Sequence, residues 1–267
     1  MKEIIRNLGL TNRQVINILI GKGSRKPKIL SRYLSDSEEK FAIVSDTHLC
    51  SVHELLDELH TFYAICEKVG VRTVFHAGDI LEGSGRIYRN QLNEIKVYGA
   101  MKQSDYVVEN YPKVKGIKTC FITGNHCLSF FNENGIDVGK LISSKRKDMV
   151  YLGQYNAETK IGKARVRLVH AEGGGAYALS YKPQKFAEQI LPGRKPDILV
   201  FGHWHSSIYF FYRNIHIFQA GTFQSQTDYQ LRKALSPAIG GWICQIKEGK
   251  NRDRVVAMES CFVPFFI

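Results

Sequence analysis

From residue 41 onward the apolar positions fall into short continuous runs, separated by glycine-bearing polar loops and by longer stretches at helical spacing. Residues 41–44 read as a short buried strand ending in Ser45-Asp46-Thr47-His48. Residues 52–69 follow as an amphipathic helix, and residues 71–75 as a second strand leading to Ala77-Gly78-Asp79. Helical spacing resumes over residues 88–109. Residues 117–122 predict a third strand ending in Gly124-Asn125-His126, and residues 165–169 a fourth ending in His170. Residues 198–201 predict a fifth, ending in Gly202-His203-Trp204-His205, and residues 215–218 and 242–246 predict later strands. Runs of four to six apolar residues alternating with helical segments imply an α/β fold built on a layered sheet.

Residues 3–20 have a different character. Ile4, Ile5, Leu8, Leu10, Val15, Ile18 and Leu19 are spaced as in two short helices around Gly9, with Thr11 as an N-cap. The pattern resembles the last two helices of a helix-turn-helix, residues 12–20 standing as the recognition helix. The match is short, which favours the alternative of an amphipathic helical hairpin docked on the main domain. Residues 21–40, basic and then acidic with Gly, Ser and Pro, read as a linker. The expected organisation is therefore a helical hairpin and linker over 1–38 and one domain over 39–267.

Composition changes this picture in three respects. Hydrophobic residues make up 44% of the 267, enough to build a core and to exclude global disorder. The formal net charge of +12, with a pI near 9.4, favours a polyanionic partner such as nucleic acid or an anionic membrane surface, although simple solubility also accounts for it. Six cysteines without a Cys-x-x-Cys pair suit free or buried thiols in a reducing cytosol. No apolar stretch is long enough for a signal peptide or a membrane span, so a soluble cytoplasmic protein with no membrane partner is expected.

The candidate chemistry lies at the strand ends. Asp46, His48, Asp79, Asn125, His126, His170, His203 and His205 all fall just after predicted strands, where functional groups gather in α/β sheets. His76 and His216 read as structural histidines. His53 follows the first motif closely enough to line a site. Cys50 and Cys127 read as small buried hydrophobes.

The ordered series Asp-Thr-His, Gly-Asp, Gly-Asn-His, His and Gly-His-Trp-His resembles the calcineurin-like metallophosphoesterases over residues 41–223. The resemblance implies a layered β-sandwich flanked by helices. Carried over by position, it implies that Asp46, His48, Asp79 and His205 hold one divalent metal. Asp79, Asn125, His170 and His203 would hold a second, with Asp79 bridging and His126 facing the substrate. The physical chemistry agrees. Two ions roughly 3.5–4 Å apart need a bridging oxygen, which a carboxylate supplies. Imidazole, carboxylate and amide ligands suit Mn²⁺ first, with Fe or Zn²⁺ as alternatives, and suit Ca²⁺ less. Such a pair lowers the pKa of a bridging water, and the hydroxide attacks phosphorus in line with the leaving oxygen. His126 could protonate that oxygen.

Within this class the substrate is expected to be nucleic acid. Gly221, Thr222, Phe223, Gln224, Gln226 and Thr227 resemble the segment that follows the last metal ligands in the exonuclease small subunit of archaeal D-family DNA polymerases. The Asp-Thr-His and Gly-Asn-His motifs also resemble the nucleases of double-strand-break repair. Those nucleases usually carry an acid after Gly-Asn-His, where this chain has Cys127. Lys145, Arg146, Lys147, Lys163, Arg165 and Arg167 are candidate phosphate contacts. The loop Glu172-Gly173-Gly174-Gly175, with Tyr177 and Tyr181, could admit a nucleotide base. The expected function is a DNA exonuclease or endonuclease, and the length suits a stand-alone enzyme. One alternative is a phosphatase or phosphodiesterase acting on a small nucleotide or a phosphoprotein. Another is a DNA-binding adaptor with a vestigial metal site.

Overall fold

A computed structural model of the chain describes residues 34–85, 87, 91–249 and 255–266. The hairpin expected over 3–20, and with it the helix-turn-helix reading, lies outside the described residues.

Two sheets face each other. The first has strand order β11-β10-β1-β2-β3-β4 and the second β5-β6-β7-β9-β8. In the first, β1 (Leu34–Val44), β2 (Thr73–His76), β3 (Lys118–Thr123) and β4 (Met149–Gln154) run parallel, with β10 (Gly240–Gly249) and β11 (Val255–Pro264) antiparallel at one side. In the second, β6 (Ala164–His170), β7 (Ile198–Gly202) and β9 (Ile215–Ala220) are parallel. Each edge strand, β5 (Asn156–Ile161) and β8 (Ser207–Tyr212), pairs antiparallel with its neighbour.

Residue parity explains why the central strands read as unbroken apolar runs. Successive side chains of a strand point to opposite faces. Phe41, Ile43, Phe75 and Ile122 point into the layer between the sheets, where they meet Val166, Leu168, Ile198, Val200 and Phe218. Their neighbours Ala42, Val44, Val74 and Phe121 point outward into a second core. That core is closed by α1 (Leu56–Val69), α2 (Ala100–Asn110), α3 (Asn125–Asn134) and α4 (Val138–Lys145). On the far side Leu199, Phe201, Ile215 and Ile217 pack under α5 (Tyr181–Gln189). Strands buried on both faces have no polar side to show.

Several expectations are corrected. The linker was expected to reach Lys40, but β1 begins at Leu34: Glu38, Glu39 and Lys40 pair with Lys247, Ile246 and Gln245. Glu38 also takes an ion pair from Lys247 at 2.5 Å and a hydrogen bond from Gln245 at 2.7 Å, so polar residues that resemble linker are satisfied across the ladder. The first helix starts at Leu56 rather than residue 52, because Ser51 and Glu54 bridge to Ile95 and Gln224. The helix expected over 88–109 begins only at Ala100, after Gly99 at φ 94°; a single 3₁₀ turn covers Gln91–Glu94 and residues 88–90 lie outside the described set. Among the described residues, no helix is long and apolar enough to cross a membrane.

Arg146 is also corrected. It is buried, not a phosphate contact. Its guanidinium donates to Asp148 at 2.6 and 2.8 Å and to the carbonyls of Val108, Tyr111 and Pro112 at 2.9–3.1 Å. It fastens the end of α4 to the end of α2. Arg146→Ala should lower stability by about 2–4 kcal/mol in urea unfolding, since it strands a carboxylate and three carbonyls. A surface phosphate contact would leave the unfolding midpoint unmoved.

Candidate metal centre

The parallel strands β1, β2, β3, β6 and β7 deliver their C-terminal ends to one rim of the sandwich. The loops there are forced into tight left-handed turns: φ is 50° at Asp46, 43° at His48, 50° at Asp79, 85° at His203 and 50° at His205. For residues with a Cβ this conformation costs free energy and persists only where the surroundings impose it. Here backbone hydrogen bonds impose it. Asp46 N donates to Gly78 O at 2.9 Å and His48 N to Asp79 O at 3.0 Å, which locks the first two loops together. The carboxylates then fix the other loops. Asp46 accepts from His203 N at 2.9 Å, and Asp79 accepts from His126 N, in the first turn of α3, at 2.9 Å. There is no room for larger residues at the motif glycines. A Cβ on Gly124 would stand 2.5 Å from Asp79 Oδ1 and His170 Nε2, and one on Gly202 would stand 2.3 Å from Ala77 O.

Among the described residues, three groups of three have donor atoms within 4.8 Å of one another: Asp46 with His48 and His205, Asp79 with His170 and His203, and, behind the first, His48 with Glu82 and His126. In the first, His205 Nε2 lies 3.3 Å from both Asp46 Oδ1 and His48 Nε2. In the second, His170 Nε2 lies 3.0 Å from Asp79 Oδ2 and 3.0 Å from Asn125 Oδ1. The opposite ring nitrogens decide what these atoms offer. His170 Nδ1 donates to the carbonyl of Ala77 at 2.8 Å, so in the neutral ring Nε2 is a lone pair. His48 Nδ1 faces the Glu82 carboxylate at 2.9 Å, with the same consequence for its Nε2. The lone pairs of His170 and His48 thus lie beside carboxylate oxygens, one in each of these two clusters, which is what a bound cation requires. Burial alone would depress His170, but the Asp79 carboxylate outweighs it and lifts its pKa to about 9, so a cation would take the place of the Nε2 proton. Burial and the neighbouring His170 push His203 down to about 4, and the surrounding imidazoles hold Asp79 well below the carboxylate range despite burial. The donor set thus fits a pair of divalent cations. All eight residues picked from the sequence come together at this rim.

Other members of the site were not legible. Glu82, three residues past Asp79, is buried and accepts from His48, from Gln91 Nε2 at 2.8 Å and from Gln224 Nε2 at 3.1 Å. His126 Nδ1 lies 2.8 Å from Glu82 O and 3.1 Å from Gln91 Nε2, and the residue lines the cleft. Gln230 Nε2 meets His205 Nδ1 at 2.9 Å. Only the nearness of Glu82 to Asp79 in sequence hinted at any of this. The cleft has a volume of about 670 Å³ and includes Tyr155, Glu172, Tyr177 and Trp204 on its walls. His53 does not line it. Cys50 and Cys127 are buried, and burial pushes the Cys127 thiol up to about 12, so both behave as small hydrophobes.

A family model, the calcineurin-like phosphoesterase superfamily domain, matches residues 40–235, more than half of the chain. The chain belongs to this superfamily. It is 25% identical over 252 residues to the DNA polymerase II small subunit of Archaeoglobus fulgidus, covering 77% of this chain and 51% of that subunit, and so spans about half the relative's length. Among solved structures, it is similar to an archaeal phosphodiesterase, at 12% identity and TM-score 0.44 over 84% of this chain and 99% of that one. It is also similar to a phosphatase of Mycoplasma pneumoniae, at 16% identity and TM-score 0.44 over 85% and 94%. The superfamily's divalent-metal chemistry matches the donor set at the rim, and the chain is a phosphoesterase by class.

His76, read as structural, is fully buried behind the two clusters. Gly78 N donates to its Nδ1 at 3.3 Å. Its Nε2 lies 3.0 Å from Thr47 Oγ1, which in turn donates to Ile80 O. Each contact suits the neutral ring with the proton on Nε2. Burial pushes its pKa down to about 3.

Two tests follow from this geometry. Between the unfolded value of 6.5 and about 3, the unfolded chain holds a proton on His76 that the folded chain does not. Stability is then fully present above pH 6.5 and falls with acidification by up to about 1.4 kcal/mol per pH unit. His76→Gln, which cannot titrate, should show a correspondingly shallower loss of urea midpoint between pH 7 and 5. Gly124→Ala should cut Mn²⁺ affinity by at least about tenfold in calorimetry, by displacing Asp79 and His170, with a smaller change in metal-free unfolding.

Proposed function

We propose that this phosphoesterase is a metal-dependent phosphodiesterase acting on nucleic acid, a DNA exonuclease or single-strand endonuclease. The observation that carries the reading is how the segment after His205 is wired into the site. Thr222 Oγ1 donates to Asp46 O at 2.7 Å, Gln224 reaches Glu82, and Thr227 caps α6 (Asp228–Arg232), whose Gln230 backs His205. The segment after His205 that resembles a polymerase small subunit thus includes residues that build the centre. The net charge of +12 supports a polyanionic substrate.

In this reading Asp46, His48, Asp79 and His205 hold one cation, and Asp79, Asn125, His170 and His203 the other. The cations, Mn²⁺ before Fe or Zn²⁺, supply Lewis acidity toward the phosphate oxygens and make water nucleophilic near neutral pH. The chain's own groups do the rest. Glu82 fixes the ring of His48 and anchors Gln91 and Gln224 beside it. His126, whose ring packs edge-on to His48 with centroids 4.5 Å apart, lines the cleft. It is held by α3 and by Asp79 through its backbone N–H, so it can give its proton to the leaving oxygen without reorganising. Burial would lower the His126 pKa, but the neighbouring Asp79 and Glu82 carboxylates outweigh it and raise it.

His126→Ala should lower kcat on single-stranded DNA by roughly 10²–10⁴-fold and leave metal stoichiometry unchanged. Asp79→Asn should abolish turnover and lower the metal content measured by elemental analysis. The decisive assay pairs Mn²⁺-dependent hydrolysis of end-labelled single-stranded DNA with that of bis-p-nitrophenyl phosphate. Shortened DNA supports the nuclease. Hydrolysis of the small diester alone moves the assignment to a small-molecule phosphodiesterase.

A further inference from the structure

A second cavity of about 580 Å³ opens beside the catalytic cleft, and Tyr155, Glu172 and Trp204 line both. It runs beside the end of β6, from His170, along the outer face of β6 and α5. Arg167, Tyr181, Lys182 and Lys185 complete its walls, three cations against the single carboxylate of Glu172.

The cations are laid over rings. Arg167 lies over Phe186 at 5.4 Å, and Lys182 lies over Trp204 at 5.7 Å. Trp204 is fixed rather than loose: it stacks on Phe201 with centroids 5.6 Å apart and donates Nε1 to Gly173 O at 2.9 Å. Tyr181, at the start of α5, is 57% exposed. The ion pairs here are weak competitors for a phosphate. Lys185 pairs with exposed Glu188 at 2.7 Å, and the nearest carboxylate to Arg167 is Glu158 at 3.9 Å, also exposed. Of the basic residues picked from the sequence, Arg167 lines this groove, whereas Arg146 is structural and Lys145 pairs with Asp105.

A row of cations interleaved with ring faces is the chemistry that holds a single-stranded nucleic acid: backbone phosphates on the cations, bases on the rings. A duplex keeps its bases stacked and paired and offers them no free face. We propose that this cavity is the subsite for the nucleotides next to the scissile phosphate of a single strand, with phosphates on Arg167, Lys182 and Lys185 and a base against Tyr181. The proposal rests on the nucleic-acid reading of the catalytic cleft. A small diester fills only the cleft and has no use for the groove.

The test uses the metal-loaded protein and a fluorescein-labelled dT₁₂ strand, with binding read by anisotropy in the turnover-deficient His126→Ala background. The double substitution Tyr181→Ala, Lys185→Ala is at exposed positions of α5. It should weaken strand binding at least about tenfold and reduce the slope of log affinity against log salt by about one. In the otherwise unaltered protein it should leave hydrolysis of bis-p-nitrophenyl phosphate within twofold. Lys140→Ala, which removes the same charge on α4, should change neither. Unchanged affinity and salt slope in the double variant would overturn the subsite while leaving the nuclease reading intact. Strand binding through the groove without cleavage by the unaltered protein would overturn the nuclease reading and leave the subsite. No strand binding at all would overturn both.

Discussion

Two carboxylates buried within one rim, Asp46 and Asp79, set the terms for everything around them. An ionised group withdrawn from water is tolerated only when it is paired and hydrogen-bonded. Each of these is met by imidazoles and by a backbone N–H from a loop remote in sequence, His203 for Asp46 and His126 for Asp79. The same oxygens therefore close the loops on one another and gather the donors for cations. The left-handed turns at five of the donor residues are the conformational cost of that convergence, and the motif glycines leave the space it needs.

The sandwich makes such convergence affordable in strain because it fixes where the loops begin. Parallel strands β1, β2 and β3 from one sheet and β6 and β7 from the other end at the same rim. Between them Phe41, Phe75, Ile122, Leu168 and Val200 fill the layer. Behind the donors stands a second tier of neutral polar groups. His76, Thr47, Gln103 and Gln224 carry buried hydrogen bonds that hold the loops without adding charge. Glu82 is the one buried acid of this tier, and its carboxylate is shared by His48, Gln91 and Gln224.

The substrate side follows from the asymmetry of the rim. Toward β10 the site is walled by the segment from Thr222 to Gln230, which is hydrogen-bonded to the donors and leaves little freedom. Toward α5 it is bordered by the glycine loop and Trp204, beyond which lies the groove with Arg167, Lys182 and Lys185. The proposed single-stranded substrate would have its second contact surface on this side.

The sequence by itself determined the central strands, because residues buried on both faces leave apolar runs that need no partner to be seen. It also marked the residues that meet at the rim, because Asp, His and Asn directly after such strands are few and their order is distinctive. The edge strands β4, β5, β8 and β11 and the helices α3 to α6 were not legible. An edge strand mixes exposed and half-buried positions, and these helices are short, so their patterns are weak. Only the tertiary structure decided that β1 extends back to Leu34, that Arg146 is a buried tie rather than a phosphate contact, and that Glu82 and Gln230 support the donors. Those roles are set by partners far away in the chain. A charge on a sequence carries no record of whether another carbonyl or carboxylate will fold up against it, and that pairing is settled only when the loops meet.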